Sequence, residues 1–229
     1  MATINVNRKG WGQGATSGHF STARTSAAAS VIDGISSTVS IQYFSSGRGK
    51  RFTRAFLHFD TSGITGTLSA AHIDINGGSA SPDPNDTVMI KSTAFGGDGG
   101  TALATSDFYS SLDYSTPYSS ELTSWSTGNN EYTLTAAALA DIKNNNDFTV
   151  AIINHDADFL NTDTTTVDDI SVDFSVTITL DYTLAPTVAA MLKVNGVTDS
   201  NIYKVDGVTN LGSPSGGGIG KINGVTDTD

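Results

Sequence analysis

The chain has 229 residues, of which only 15% are charged, and its formal net charge is −11 at neutral pH. This acidic balance argues against general nucleic-acid binding, because phosphates would be repelled, and the lack of cysteine excludes disulfides and thiolate metal sites. No segment approaches the roughly 18 apolar residues of a membrane helix. The first residues lack an apolar signal core, so we do not expect a standard secretory route.

Segments that alternate apolar with polar residues predict a series of β-strands, because successive side chains of a strand point to opposite faces. In chain order, the predicted strands are residues 39–43, 54–59, 71–76, 87–94, 148–153 and 170–184. Turns rich in glycine, proline and asparagine separate them. The last strand is long enough to predict a bend or a change of sheet midway.

Two short helices are predicted between these strands. Ser106 is a candidate N-cap for residues 107–112, and Thr135 is a candidate N-cap for residues 136–143. Many short strands with few helices favour a β-sandwich, and a long strand at the end favours a jelly roll. The predicted fold of residues 1–184 is therefore an all-β jelly-roll β-sandwich with one or two short helices.

Aromatic residues are concentrated in the least regular part of the chain, residues 108–132. They are Tyr109, Tyr114, Tyr118, Trp125 and Tyr132. Rings on loops beside serine and asparagine can stack on sugars, so these residues are candidates for glycan binding. The alternative is that they form a small core beneath long loops.

Signatures of catalysis are weak. The chain has only two glutamates, Glu121 and Glu131, and a glycosidase needs two carboxylates in a cleft. Acids on solvated loops are the alternative explanation. The glycine run at residues 96–100 lacks the Lys-Ser/Thr ending of a phosphate loop, and no Gly-x-Ser-x-Gly motif occurs. We therefore expect no enzymatic activity.

Carboxylates are frequent between residues 154 and 169, and calcium prefers such oxygen ligands. The spacing does not fit an EF-hand, because the sixth-position glycine and the terminal glutamate are missing. The candidate ligands of a structural Ca²⁺ are Asp156, Asp158 and Asp163. No other cofactor is predicted.

Residues 185–229 form a glycine-rich tail that contains three copies of one phrase. Asn-Gly or Asp-Gly at the centre of each copy predicts a tight hairpin. Such hairpins are marginal alone, so we expect them to become ordered against a partner; a flexible tail with turn propensity is the alternative. The candidate partner-binding residues are Lys193, Val194, Asn195, Gly196, Lys204, Val205, Asp206, Gly207, Lys221, Ile222, Asn223 and Gly224.

The segment Arg54-Ala-Phe-Leu-His-Phe-Asp-Thr-Ser-Gly-Ile64, followed by Thr67–Ile75, resembles the DNRLRE-type jelly-roll module. Asp173–Tyr182 is similar to the last strand of that module. The resemblance spans roughly residues 3–184 and implies a jelly roll of the kind found in surface, adhesive and carbohydrate-associated proteins. Such modules are usually non-catalytic.

The repeats of the tail resemble those of tailed-phage virion proteins, particularly of marine phages. This resemblance implies a virion structural protein, either a capsid decoration or a fibre subunit, that binds other virion subunits. We expect a homo-oligomer, with a trimer favoured. The alternative function is a carbohydrate-binding adhesive module that contacts a glycan on a host or other surface.

Overall fold

The structure is a computed structural model. It describes residues 2–33, 38–64, 66–80, 86–95, 102–165 and 168–184, and the short segments 193–194, 197–198, 204–205 and 208–209. The chain divides into two compact units, residues 1–184 and residues 185–229. We call the first unit the body and the second unit the tail.

The body is built mainly from antiparallel strands, as the sequence predicts. Its strands are β1 (Ala2–Gly18), β2 (Ser30–Asp33), β3 (Thr38–Ser46), β4 (Gly49–Asp60), β5 (Gly66–Ala80), β6 (Thr87–Ser92), β7 (Leu112–Pro117), β8 (Gly128–Thr133), β9 (Asp147–Asn154) and β10 (Asp168–Leu184). All six predicted strands are confirmed. β1, β2, β7 and β8 were not predicted, although residues 2–7 of β1 alternate apolar with polar side chains.

Three α-helices and one π-helix accompany the described strands. They are α1 (Phe20–Arg24), α2 (Asp107–Ser110), α3 (Ala136–Asn144) and the π-helix His155–Phe159. The α3 prediction is confirmed, because the Thr135 hydroxyl accepts a hydrogen bond from the Ala138 amide at 3.5 Å. α2 is shorter than expected, and Ser106 makes no capping side-chain hydrogen bond. Among the described residues, α3 is the longest helix, and none is long and apolar enough to cross a membrane.

β1 and β3 each pair with both β10 and β4, and in this way they join the two arms of the sheet. β1 pairs with β10 through residues 2–7 and with β4 through residues 8–18. β3 likewise pairs with β10 through residues 38–43 and with β4 through residues 42–46. One arm continues from β10 to β5 and β8, and the other continues from β4 to β9, β6 and β7.

The main core lies between these arms. Leu57 and Phe59 of β4 share one buried cluster with Ile73 and Ile75 of β5. The neighbouring side chain Phe56 points the other way, into a second cluster around β6 and β9. β4 is therefore buried on both faces, and the elements that cover its second face are short helices and loops.

Arg54 lies on that second face of β4 and is fully buried. Its Nε and Nη2 atoms donate to the two carboxylate oxygens of Asp158, at 2.6 and 2.7 Å. Nη1 also donates to the carbonyl of Phe108, and Nη2 donates to the carbonyl of Arg24. One guanidinium thus connects β4 with the π-helix, α2 and α1.

Asp158 also accepts hydrogen bonds from residues other than Arg54. The Tyr114 hydroxyl donates to its Oδ1 at 2.9 Å, and Arg24 Nε donates to its backbone carbonyl at 2.7 Å. The Arg24 Nε also lies 3.5 Å from Oδ1. A buried ion pair is tolerated when its remaining donors and acceptors are satisfied, as they are here.

A close backbone approach occurs where β5 meets β8. A Cβ atom at Gly77 would lie 2.1 Å from the Ser126 carbonyl oxygen and 2.7 Å from Trp125 Nε1. The side chain of Asn130 holds this loop, because its Oδ1 accepts from the Ser126 amide and its Nδ2 donates to the Ser126 carbonyl, both at 2.9 Å. Only glycine leaves the loop room to cross β5.

In the tail, four short strands form two hairpins. β11 (Lys193–Val194) pairs with β12 (Val197–Thr198), and β13 (Lys204–Val205) pairs with β14 (Val208–Thr209). In each hairpin lysine faces threonine, valine faces valine, and two residues separate the paired valines. The central pairs of both hairpins and the third copy, with Lys221, Ile222, Asn223 and Gly224, lie outside the described residues.

Asp158→Asn should lower the free energy of unfolding by about 3–5 kcal/mol, because the buried guanidinium of Arg54 loses its counter-charge. Asp163→Asn is the matched control, since Asp163 pairs with Lys50 while 52% of its side chain is exposed. The control should change stability by less than about 1 kcal/mol. Urea unfolding of both variants measures the difference, and equal effects would contradict the role of the buried pair.

Gly77→Ala should lower the free energy of unfolding by about 1–3 kcal/mol, because the added methyl group collides with the loop over β5. Gly63→Ala is the control, since a Cβ there meets no atom within 4 Å. Thermal unfolding would compare the two variants. A Gly77→Ala protein as stable as the control would show that the loop moves aside without cost.

Candidate functional site

A polar cleft opens between β6, the end of α3 and the start of β9. Its volume is about 460 Å³, and its lining includes Lys91, Tyr118, Asp141 and the asparagines at 144–146. α3 begins after its cap Thr135 and ends at Asn144. The three asparagines are therefore the last residue of the helix and the two residues that follow it. Asn144, Asn145 and Asn146 are all exposed.

Charges at the floor of the cleft are paired. Lys91 Nζ lies 2.6 Å from Asp141 Oδ2, and the Tyr118 hydroxyl donates to the same oxygen. Burial opposes ionisation of Asp141, but the hydrogen bonds from Lys91 and Tyr118 outweigh it and lower the pKa of this carboxyl. Burial, with the hydrogen bond to Asp141, raises the pKa of Tyr118. Both shifts move the pKa away from neutrality, so Asp141 stays ionised and Tyr118 stays protonated near pH 7, which suits hydrogen bonding to a ligand more than proton transfer.

A histidine–aspartate pair lies beside the cleft. His58 Nε2 is 2.7 Å from Asp147 Oδ1, and Asp147 lines the cleft. The His58 ring is almost fully buried and stacks on Phe95, with centroids 5.8 Å apart. The imidazole therefore positions Asp147 from behind and does not itself line the cleft.

The structure does not bring the five predicted glycan-binding rings together. Tyr118 and Tyr132 belong to the main core, with exposures of only 2% and 1%, and Trp125 packs partly against that core. Tyr109 and Tyr114 contact each other, with ring centroids 6.0 Å apart, but they pack against other buried clusters. In the structure these rings are used mainly for packing, and glycan binding by them stays a prediction.

The predicted calcium ligands are also separated. Asp158 is paired with Arg54, and Asp163 lies 2.6 Å from Lys50 Nζ. Asp156 lies near His155 instead, with its Oδ1 3.1 Å from the imidazole Nδ1. Cationic side chains of the protein thus pair with two of the three carboxylates, and a Ca²⁺ site at Asp156, Asp158 and Asp163 stays a prediction.

Two groups of histidine and carboxylate side chains come together among the described residues. One contains His72, Asp74 and Glu131, and the other contains Glu121, His155 and Asp156. The two glutamates thus belong to different groups. The sequence analysis did not single out His155, since its partner Glu121 is 34 residues earlier in the chain and no local spacing connects the two.

No protein-family model matches this chain, and a search of the curated proteins finds no match. The resemblances to a jelly-roll module and to phage repeats therefore stay predictions. Function has to be inferred from the geometry of the polar cleft, the histidine–carboxylate groups and the hairpins of the tail.

Proposed function

We propose that this chain is a non-enzymatic structural protein of a virion, a capsid decoration or fibre subunit whose tail docks on other subunits. The hairpin register carries the proposal. Lys193 faces Thr198 and Lys204 faces Thr209, with a valine pair inside each lysine–threonine pair. The same backbone geometry therefore presents the same side chains twice, as a set of equivalent contacts on a repeated partner would require.

The hairpins of the tail should be more stable when they are docked on a partner than when they fold alone. Each one pairs only two residues per strand, and a two-stranded hairpin of this size is marginal in water. A partner surface would supply apolar burial for the valines, and the lysines would add contacts to acidic groups. The formal charge of −11 provides acidic groups on every copy of the chain.

The proposal assigns the body the role of a folded domain that is displayed on the virion while the tail attaches it. A jelly-roll topology would account for the position of the last strand of the body, β10, which pairs with β5 on one side and with β1 and β3 on the other. A symmetric homo-oligomer, with a trimer favoured, would place identical tails around one axis. Such an arrangement multiplies weak hairpin contacts through avidity.

Removing the tail should abolish assembly while the body stays folded. We expect the full chain to form oligomers and to co-purify with virions, whereas a chain ending at Leu184 should be monomeric. The body is a compact unit of its own, so the shortened chain should keep its fold. Analytical ultracentrifugation and virion purification measure the two effects, and a shortened chain that still enters virions would contradict the docking role.

Point variants can test the hairpins more finely. Gly196→Val, Gly207→Val and Gly224→Val together place β-branched residues where a type I′ turn needs positive φ. Ser200→Val, Ser213→Val and Ser215→Val together are the control, because they add the same side chains outside the repeats. Assembly should be lost only in the glycine variant; equal assembly in both would contradict the proposed turns.

Binding of a surface glycan is a second candidate, favoured by the exposed asparagines of the polar cleft. Amide groups at Asn144 and Asn146, beside the Lys91–Asp141 pair, offer donors and acceptors for sugar hydroxyls. This location replaces the dispersed aromatic residues of the sequence prediction. It requires no exposed ring, which agrees with the burial of Tyr118.

A glycan array tests this candidate. Asn144→Ala with Asn146→Ala should weaken binding by at least about tenfold, the equivalent of roughly 1.4 kcal/mol. Asn129→Ala is the control, since this exposed amide donates to Asp74 in another part of the body. If the unaltered chain binds no glycan of a broad array, the candidate fails.

A further inference from the structure

Three distant segments of the body meet at the start of the π-helix. The His155 amide donates to the carbonyl of Asp86 at 2.8 Å, and Asn154 Nδ2 donates to the same carbonyl at 3.3 Å. Thr87 and Leu122 exchange backbone hydrogen bonds at 3.0 and 2.8 Å. These contacts bring together side chains that precede β6, follow β7 and open the π-helix: Asp86, Glu121, His155 and Asp156.

The spacing of three of these side chains, Glu121, His155 and Asp156, fits the coordination shell of one ion. His155 Nδ1 lies 3.2 Å from Glu121 Oε1 and 3.1 Å from Asp156 Oδ1. The three ligand atoms all lie within 4.8 Å of one another. Ligands bound at about 2.0–2.2 Å in a tetrahedral or octahedral shell are about 3–3.5 Å from their neighbours.

Asp86 provides an independent observation. Its Oδ1 atom is buried and has no hydrogen-bond partner in the described part of the chain, which is rare for a carboxylate oxygen. Glu121 and Asp156 lie close enough to Asp86 to interact with its charge. A bound cation would give this buried oxygen a partner and would offset the repulsion between Asp86 and the two neighbouring carboxylates.

Protein cations do not neutralise this group. Among the residues whose side chains are described, His155 is the only ion-pair partner of Glu121 and Asp156. Three carboxylates surround one imidazole, so the group keeps an excess of negative charge even when His155 is protonated. By contrast, each carboxylate of Asp158, Asp163 and Asp141 has a lysine or arginine beside it.

We propose that Asp86, Glu121, His155 and Asp156 form a binding site for a divalent transition-metal ion of the Zn²⁺ or Mn²⁺ kind. One imidazole nitrogen with carboxylate oxygens suits these ions, whereas calcium prefers oxygen ligands throughout. The ion would join the start of β6, the segment after β7 and the π-helix. Because that π-helix carries Asp158, metal binding would also stabilise the buried pair with Arg54.

The second histidine–carboxylate group serves as an internal comparison. His72 and Asp74 are 3.3 Å apart, and Asp74 also accepts a hydrogen bond from Asn129 at 2.8 Å. No buried carboxylate oxygen of this group is left without a partner among the described residues. These side chains lie on paired strands, where cross-strand contacts account for their proximity.

Calorimetric titration of the untagged full chain with Zn²⁺, Mn²⁺ and Ca²⁺ tests the proposal. We expect one Zn²⁺ or Mn²⁺ ion per chain, a rise in Tm on binding, and weaker binding of Ca²⁺. His155→Ala and Glu121→Gln should each reduce the affinity by at least about tenfold, and His72→Ala should leave it unchanged. Glu121 is exposed, so its variant should fold even if the His155 variant does not.

Several outcomes would overturn the site. The first is the absence of Zn²⁺ and Mn²⁺ binding to the unaltered chain at about 100 μM, well above the range of a structural site. The second is a loss of affinity in His72→Ala but not in Glu121→Gln. A third is a preference for Ca²⁺ that His155→Ala does not alter, which would indicate an oxygen-only site elsewhere.

Discussion

The buried ion pair between Arg54 and Asp158 is the constraint on which the rest of the body depends. A charged guanidinium inside a protein requires every donor to be satisfied, since unpaired buried charge is costly. Here the partners come from the π-helix, α2 and α1, each of which covers the second face of β4. None of these helices is longer than five residues. They are held in place by this network more than by helix propensity, because helices of that length are unstable alone.

The alternating strands and the capped helix α3 could be predicted from the sequence, because their signals are local. Ile170–Leu184 alternates over its full length, and Thr135 precedes an apolar helical pattern. The second part of β1 carries several glycines and polar residues, so its pairing with β4 depends on a partner that no local pattern reveals. The π-helix is likewise determined by the role of Asp158 as a partner of Arg54.

The candidate sites were harder to predict than the fold for the same reason. Tyr118 and Tyr132 lie in a stretch that has the composition of a binding loop, yet both are buried in the main core. Asp158 occurs in an acidic run that suggests calcium, yet a residue 104 positions earlier pairs with it. Composition indicates which groups are present. Only long-range pairing decides whether they face solvent, a counter-charge or one another.

The antiparallel pairing of β1 with β10 places the two ends of the body next to each other. Ala2 lies opposite Tyr182, two residues before the body ends. A domain that is entered and left at neighbouring points can be inserted into a loop of another protein without forcing that loop open. The same geometry permits a circular permutant in which a short linker joins the two ends and new termini are cut elsewhere. The fold of the body is therefore compatible with a position at either end of a longer polypeptide or within one of its loops.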